Sequence, residues 1–269
     1  MTSILDSIVS NFSILWPALI AGILVSLSHV PLGQQVLRRG IVFIDLAIAQ
    51  VAGVGVVAAH YMGLELQGWM TQFAAVTAAL GGALLLTWTE RKRPEVQEAL
   101  IGVMFVVAST AQILLLANDP HGGEDLKDLL AGQILWVTPQ QLWRAAVVTA
   151  GFLAIWFTIA PRLGRVGFYV LFAVVVTVSV QVVGVYLVFT SLIVPAIATY
   201  RYPPRTQLWL GISLAVLSYI VGLVLSAITD LPTSALVVPV MVVIGVIVHV
   251  ASPRNAVNSL THPGAAETR

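Results

Sequence analysis

Apolar side chains along this chain come in long blocks separated by short polar punctuation. The blocks predict membrane-crossing helices at about 12–32, 41–62, 71–89, 98–117, 142–160, 167–183, 184–200, 207–228 and 233–251. Inside hydrocarbon every backbone N–H and C=O must pair within its own segment, so apolar runs near 20 residues read as helices rather than open strands. The block 168–200 is long for one crossing and short for two. It predicts either two short helices or one broken helix, and the expected fold is an all-α, polytopic membrane helix bundle of eight or nine transmembrane helices.

Composition narrows the class. Hydrophobic residues make up 58% of the 269 positions and charged residues only 9%. A soluble domain is about a quarter charged, so a soluble monomer is excluded. Two regions are expected: a transmembrane domain over 1–251 and a polar, disordered cytoplasmic tail over 252–269. No Lys or Arg precedes Arg38, so the first apolar stretch reads as a retained span rather than a secretory signal. Cysteine is absent, which removes disulfides and thiolate metal sites.

Charge sets an expected orientation. Eleven of the 13 basic residues fall on one side: Arg38 and Arg39, Arg91 to Arg93, Arg162 and Arg165, Arg201 and Arg205, Arg254 and Arg269. Positive residues concentrate in cytoplasmic loops. The N-terminus is then outside and the C-terminus cytoplasmic, which favours nine spans. The opposite loops are acidic, and the largest, 118–141, carries Asp119, His121, Glu124, Asp125 and Asp128. Its 124–137 segment predicts an amphipathic helix lying on the outer surface, with Trp136 and Trp143 in the interfacial belt. Small residues four apart (Ala49 and Gly53, Gly55 and Ala59, Ala74 and Ala78, Ala78 and Gly82) predict close helix approach.

Several chemistries are missing. The chain has no HExxH, no G-x-S-x-G and no Gly-Lys-Ser/Thr; its only lysines are Lys92 and Lys127. It therefore has no catalytic motif and no P-loop to hold a nucleotide phosphate, so it reads as a non-enzyme, and ATP-driven work would need a separate subunit. A net charge of +1 marks no nucleic-acid partner.

The chemistry present is sparse. Asp45 is the one clear carboxylate inside a span, and an intramembrane acid is a functional-site hypothesis by default. Its alternatives are snorkelling to the near surface or pairing with Arg38 or Arg39. Gln50 lies about 140° further round the same helix and fits either a polar route or an interhelical hydrogen bond; Gln112 and Gln181 favour the latter. His29, His60 and His249 sit near span ends, where a histidine is a metal ligand or, more often, simply hydrated. His262 in the tail carries no role. Pro195 interrupts an apolar run that begins its last leg at Gly184, and transporters place broken helices where backbone lines a cavity. The run ends in the basic turn Tyr200, Arg201, Tyr202, Pro203, Pro204, Arg205, suited to contact with a cytosolic protein.

At these residues the sequence resembles the metal-ion permease family of ATP-binding-cassette (ABC) importers. VLRRGIVFIDLAIAQ is similar to the family's second-helix motif and EDLKDLLAGQILWVTPQQLW to its outer-loop segment. VQVVGVYLVFTSLIVPAIATYRY and GLVLSAITDLPTSALVV resemble two later motifs, in family order. The resemblance implies a multi-pass permease of the bacterial inner membrane that moves zinc, manganese or iron by alternating access. It implies a cytosolic ABC ATPase that carries the ATP, a second permease copy as a homodimer, and a periplasmic or surface metal-binding protein. No cofactor is implied for this chain itself. The route would run along Asp45, Gln50, Gly184 and Pro195, with Asp45 and His60 as metal-ligand candidates and 200–205 as the ATPase-coupling turn. Asp45 stands at the family's aspartate position, and Ala49 stands where the family carries a histidine. The competing classes are an ion-coupled secondary carrier, which would usually bury several carboxylates or histidines, and a membrane scaffold without transport.

Overall fold

A computed structural model describes residues 2–65, 68–117, 130–132, 134–159 and 164–252, with side chains from residue 13 onward. Among these residues there are nine α-helices and no strand: α1 (Thr2–Arg39), α2 (Ile44–Tyr61), α3 (Trp69–Lys92), α4 (Gln97–Leu116), α5 (Pro139–Ile159), α6 (Arg165–Val183), α7 (Val185–Thr199), α8 (Pro204–Thr229) and α9 (Thr233–Val250). Eight are long and apolar enough to cross a bilayer, and α7, at 15 residues, is shorter. The long block thus becomes two helices that part at Gly184, one full-length and one short.

The helices pack in two groups. α2 lies between α3 and α4, while α1 packs on α7 and α8, with α9 against both of the latter. α6 joins the groups by packing on α2 and α3 and also touching α1 and α7, and α5 bridges α1 and α6. The shared core holds Tyr169, Phe172, Tyr219, Phe152, Leu187 and Leu192, all essentially inaccessible. The exterior is apolar as well: Phe73, Leu85, Val107, Leu114, Trp209 and Ile247 are exposed. Such a surface suits lipid, where apolar area need not be hidden from the surroundings.

Small residues set the helix spacing. A β-carbon on Gly55 would stand 2.7 Å from the Ala74 carbonyl oxygen, and one on Gly82 would stand 3.3 Å from Val51. These positions hold α2 and α3 together, as the four-residue spacing predicts. The same rule works at an unflagged place. Gly33 of α1 lies on the backbone of Leu192 in α7, and a β-carbon there would collide with the Leu192 carbonyl group.

The tail, with Arg254, His262 and Arg269, and most of the acidic outer loop, including His121, lie outside the described residues. The described part of the 124–137 segment departs from a continuous surface helix. Its backbone turns left-handed at Gly132 (φ 72°). A single turn at Ile134–Trp136 then tucks Ile134 into the core, with Trp136 exposed. Ile134 joins the apolar core where its turn packs on α1, and burial of its side chain wins over a surface position.

Candidate translocation site

Asp45 lies in the first turn of α2 and is 1% exposed. Among the described residues neither carboxylate oxygen has a hydrogen-bond partner; the nearest favourable groups are the N–H dipoles of Asp45 and Leu46 in its own first turn. The arginines nearby are engaged elsewhere. Arg38 donates from Nη2 to Gln207 Oε1 at 3.2 Å, and the Arg39 guanidinium stacks 4.1 Å from the centroid of Phe168. The side chain therefore neither snorkels into solvent nor forms an ion pair with either arginine. A sealed, unpaired carboxylate is costly in an apolar interior, and only the helix N-terminus offsets part of that cost.

Gln50 is also buried, on another side of α2. Gln112 of α4 donates from Nε2 to the Gln50 side-chain oxygen at 2.6 Å and to its backbone oxygen at 3.0 Å. A β-carbon on Gly53 would stand 2.6 Å from Gln112 Oε1, so the glycine makes room for this bridge. His60, partly buried, is at the far end of α2. Fifteen residues of helix separate it from Asp45, about 22 Å at 1.5 Å per residue, so the two cannot ligate one ion. Ala49 is buried and brings no ligand atom. Among the described residues no three His, Asp or Glu side chains gather where they could hold a metal ion.

Gly184 separates α6 from α7 with φ 82° and ψ 164°, a conformation open to glycine and strained for other residues. Its backbone lies against that of Ala131 and Gly132, and a β-carbon on either glycine would strike the other segment. Pro195 sits buried within α7, which stays helical. Thr199 donates from its hydroxyl to the Pro195 carbonyl at 2.6 Å.

The basic turn is built onto the end of α9. Tyr200 stacks on His249 with centroids 5.7 Å apart, and Arg201 lies over the same tyrosine and donates from Nε to its hydroxyl at 3.0 Å. Tyr202 donates to the Val248 carbonyl at 3.3 Å. Pro203, Pro204 and Arg205 are exposed beyond this clamp. Nearby, the Phe43 N–H, an orphan donor at the start of α2, is taken by Glu98 of α4 at 3.2 Å.

One residue is placed otherwise than the sequence suggests. His29, expected to be hydrated at a span end, is fully buried. Its Nδ1 is 3.1 Å from the Val25 carbonyl and 3.0 Å from the Ser28 hydroxyl, and among the described residues its Nε2 has no partner. The spacing Gly22, Ser26, His29, Gly33, one stripe of α1, is the signal that could have found it. The motif around Asp230 is a turn: Asp230 ends α8 with φ 53°, and the Ser226 hydroxyl donates to the Leu231 carbonyl at 2.7 Å.

An apolar-skinned helix bundle with a lone sealed carboxylate, a broken helix and a clamped basic turn defines a multi-pass membrane transport protein. The chain belongs to the ABC 3 transport family, whose sequence model matches residues 11–163 and 152–252. It is 26% identical to the manganese transport system membrane protein MntC of Halalkalibacterium halodurans, over 96% of this chain and 93% of that one. It is 25% identical to the high-affinity zinc uptake system membrane protein ZnuB of Haemophilus influenzae, over 81% of this chain and 90% of that one. Among solved structures, the fold matches a chain of PsaBC from Streptococcus pneumoniae in complex with Fab, with a TM-score of 0.78 at 20% identity, covering 97% of this chain and 99% of that one.

Proposed function

We propose that this chain is the permease subunit of an ABC importer for divalent metal ions, zinc first and manganese or iron next, in a bacterial inner membrane. The observation that carries the reading is the family match across nearly the whole chain, together with relatives named for manganese and zinc transport. The absence of a P-loop from the sequence assigns ATP hydrolysis to a cytosolic partner. A second copy of this chain would complete the pore, and a metal-binding protein outside would deliver the ion.

The chemistry follows from the few polar groups in the bundle. A divalent cation sheds water only where oxygen or imidazole groups replace it. Asp45 supplies an anionic oxygen, and the Gln50 oxygens, held by Gln112 in this conformation, and the backbone around Gly184 and Pro195 would supply neutral ones once the helices part. So few ligands hold an ion briefly, which suits a conduit whose capture step lies on another protein. In the conformation described Asp45 is closed off, so passage requires α2 to part from its neighbours. Force for that step would enter through 200–205, whose exposed prolines and Arg205 offer a rigid contact.

The test is reconstitution of the chain with its ATPase and external binding protein in liposomes. ATP-dependent uptake of Zn(II), Mn(II) or Fe(II) is the expected result. Uphill metal transport by the chain alone, without any ATPase, would overturn the reading.

A further inference from the structure

The route just described uses the α6–α7 break but not residues 130–132 and 134–136, which rest against it. Three observations make this contact more than a loop resting on a helix end. First, the two segments meet through backbone: Gly132 and Gly184 are each left-handed (φ 72° and 82°), and each occupies the space where the other's β-carbon would stand. Second, the segment is pinned, because Ile134 is 2% exposed and packs in the core beside α1, with Leu130 and Leu135 partly buried there. Third, the break begins a helix that is buried at most of its positions and runs without interruption into the clamped turn at Tyr200. A backbone contact between two packed elements is a stiff one, since no side chain can rotate to absorb a shift.

We propose that Gly132 is a positioning residue: its backbone seats the outer segment on the break at Gly184 and thereby fixes where α7 starts. Displacement of the segment from outside moves the start of α7, and α7 carries it to the 200–205 turn. The seat links the face where a delivery protein would dock to the end where the ATPase would bind. This rests on the transport reading above for its purpose, but its geometry can be tested separately.

The absence of native cysteine makes the test direct. The pair Ala131→Cys and Val183→Cys, placed across the seat, should cross-link under mild oxidation in the reconstituted complex with its ATPase and delivery protein. The cross-link should abolish stimulation of ATP hydrolysis by the metal-loaded delivery protein, with Zn(II) and Mn(II) as the metals, and a thiol reductant should restore it. Gly132→Ala should leave basal hydrolysis in place and cut that stimulation by about tenfold, an ordinary coupling strength between two sites. Failure of the pair to cross-link would overturn the seat. Equal stimulation in the cross-linked and reduced complexes, or in Gly132→Ala and the unmodified chain, would overturn its positioning role. An unmodified complex that moves no metal would defeat the transport reading, while the cross-linking result would still stand or fall by itself.

Discussion

Replacing Asp45 with Asn should make the protein more stable and less useful. The substitution keeps the shape of a side chain that is 1% exposed and removes a charge that has no hydrogen-bond partner among the described residues. On insertion scales a carboxylate costs about 2.5–3.5 kcal/mol at the centre of a membrane helix, and less toward its ends. Asp45 sits in the first turn of α2, where the helix dipole returns about 0.3–1 kcal/mol. The difference sets an upper bound: Asp45→Asn should stabilise the fold by no more than about 2 kcal/mol. Denaturant titration in mixed micelles, followed by tryptophan fluorescence, would measure it, and metal uptake by the reconstituted complex should fall to background. A variant that is destabilised and still transports would refute the reasoning. It would mean that the carboxylate has a structural partner and that the ion passes elsewhere.

Three further outcomes are expected. Gly33→Ala places a methyl group on the Leu192 backbone, and overpacking of about 1–3 kcal/mol should outweigh the better helix propensity of alanine, lowering the unfolding midpoint. Gln112→Leu should cost about 0.6 kcal/mol, the mean for a membrane hydrogen bond; adding Gln50→Leu should cost little more, a non-additivity that a double-mutant cycle would read. His249→Ala removes the stack on Tyr200 and should loosen the 200–205 turn by about 0.5–1.5 kcal/mol, seen as faster tryptic cleavage at Arg201 or Arg205 with the unfolding midpoint of the bundle little changed.

The helices could be read from the sequence because hydrocarbon leaves the backbone no alternative. The break at Gly184 was readable too, since a run too long for one crossing and too short for two has to yield at its most permissive residue. The end of α1 was not. Its helix runs on to Arg39, past the apolar block that ends near residue 32. Hydropathy marks how deep a segment sits, whereas the helix stops where Gly40 turns left-handed (φ 68°) and the Ile41 N–H closes back on the Val36 carbonyl. At the candidate site, Asp45 stood out as a lone acid, but its isolation from Arg38 and Arg39 depends on where α8 and α6 bring Gln207 and Phe168. The Gln50–Gln112 bridge and the Glu98 cap on α2 join residues 62 and 55 positions apart. No local pattern announces such pairs.

At 1.5 Å per residue the 15 residues of α7 measure about 22 Å, against a hydrocarbon slab of about 30 Å. A rod that short cannot form a bilayer-deep wall by itself. Against its start lies the backbone of Ala131 and Gly132, so this wall is assembled from two pieces of chain that are distant in sequence. Because those pieces touch main chain to main chain, neither can shift alone, and a push on the loop is borne by the rod.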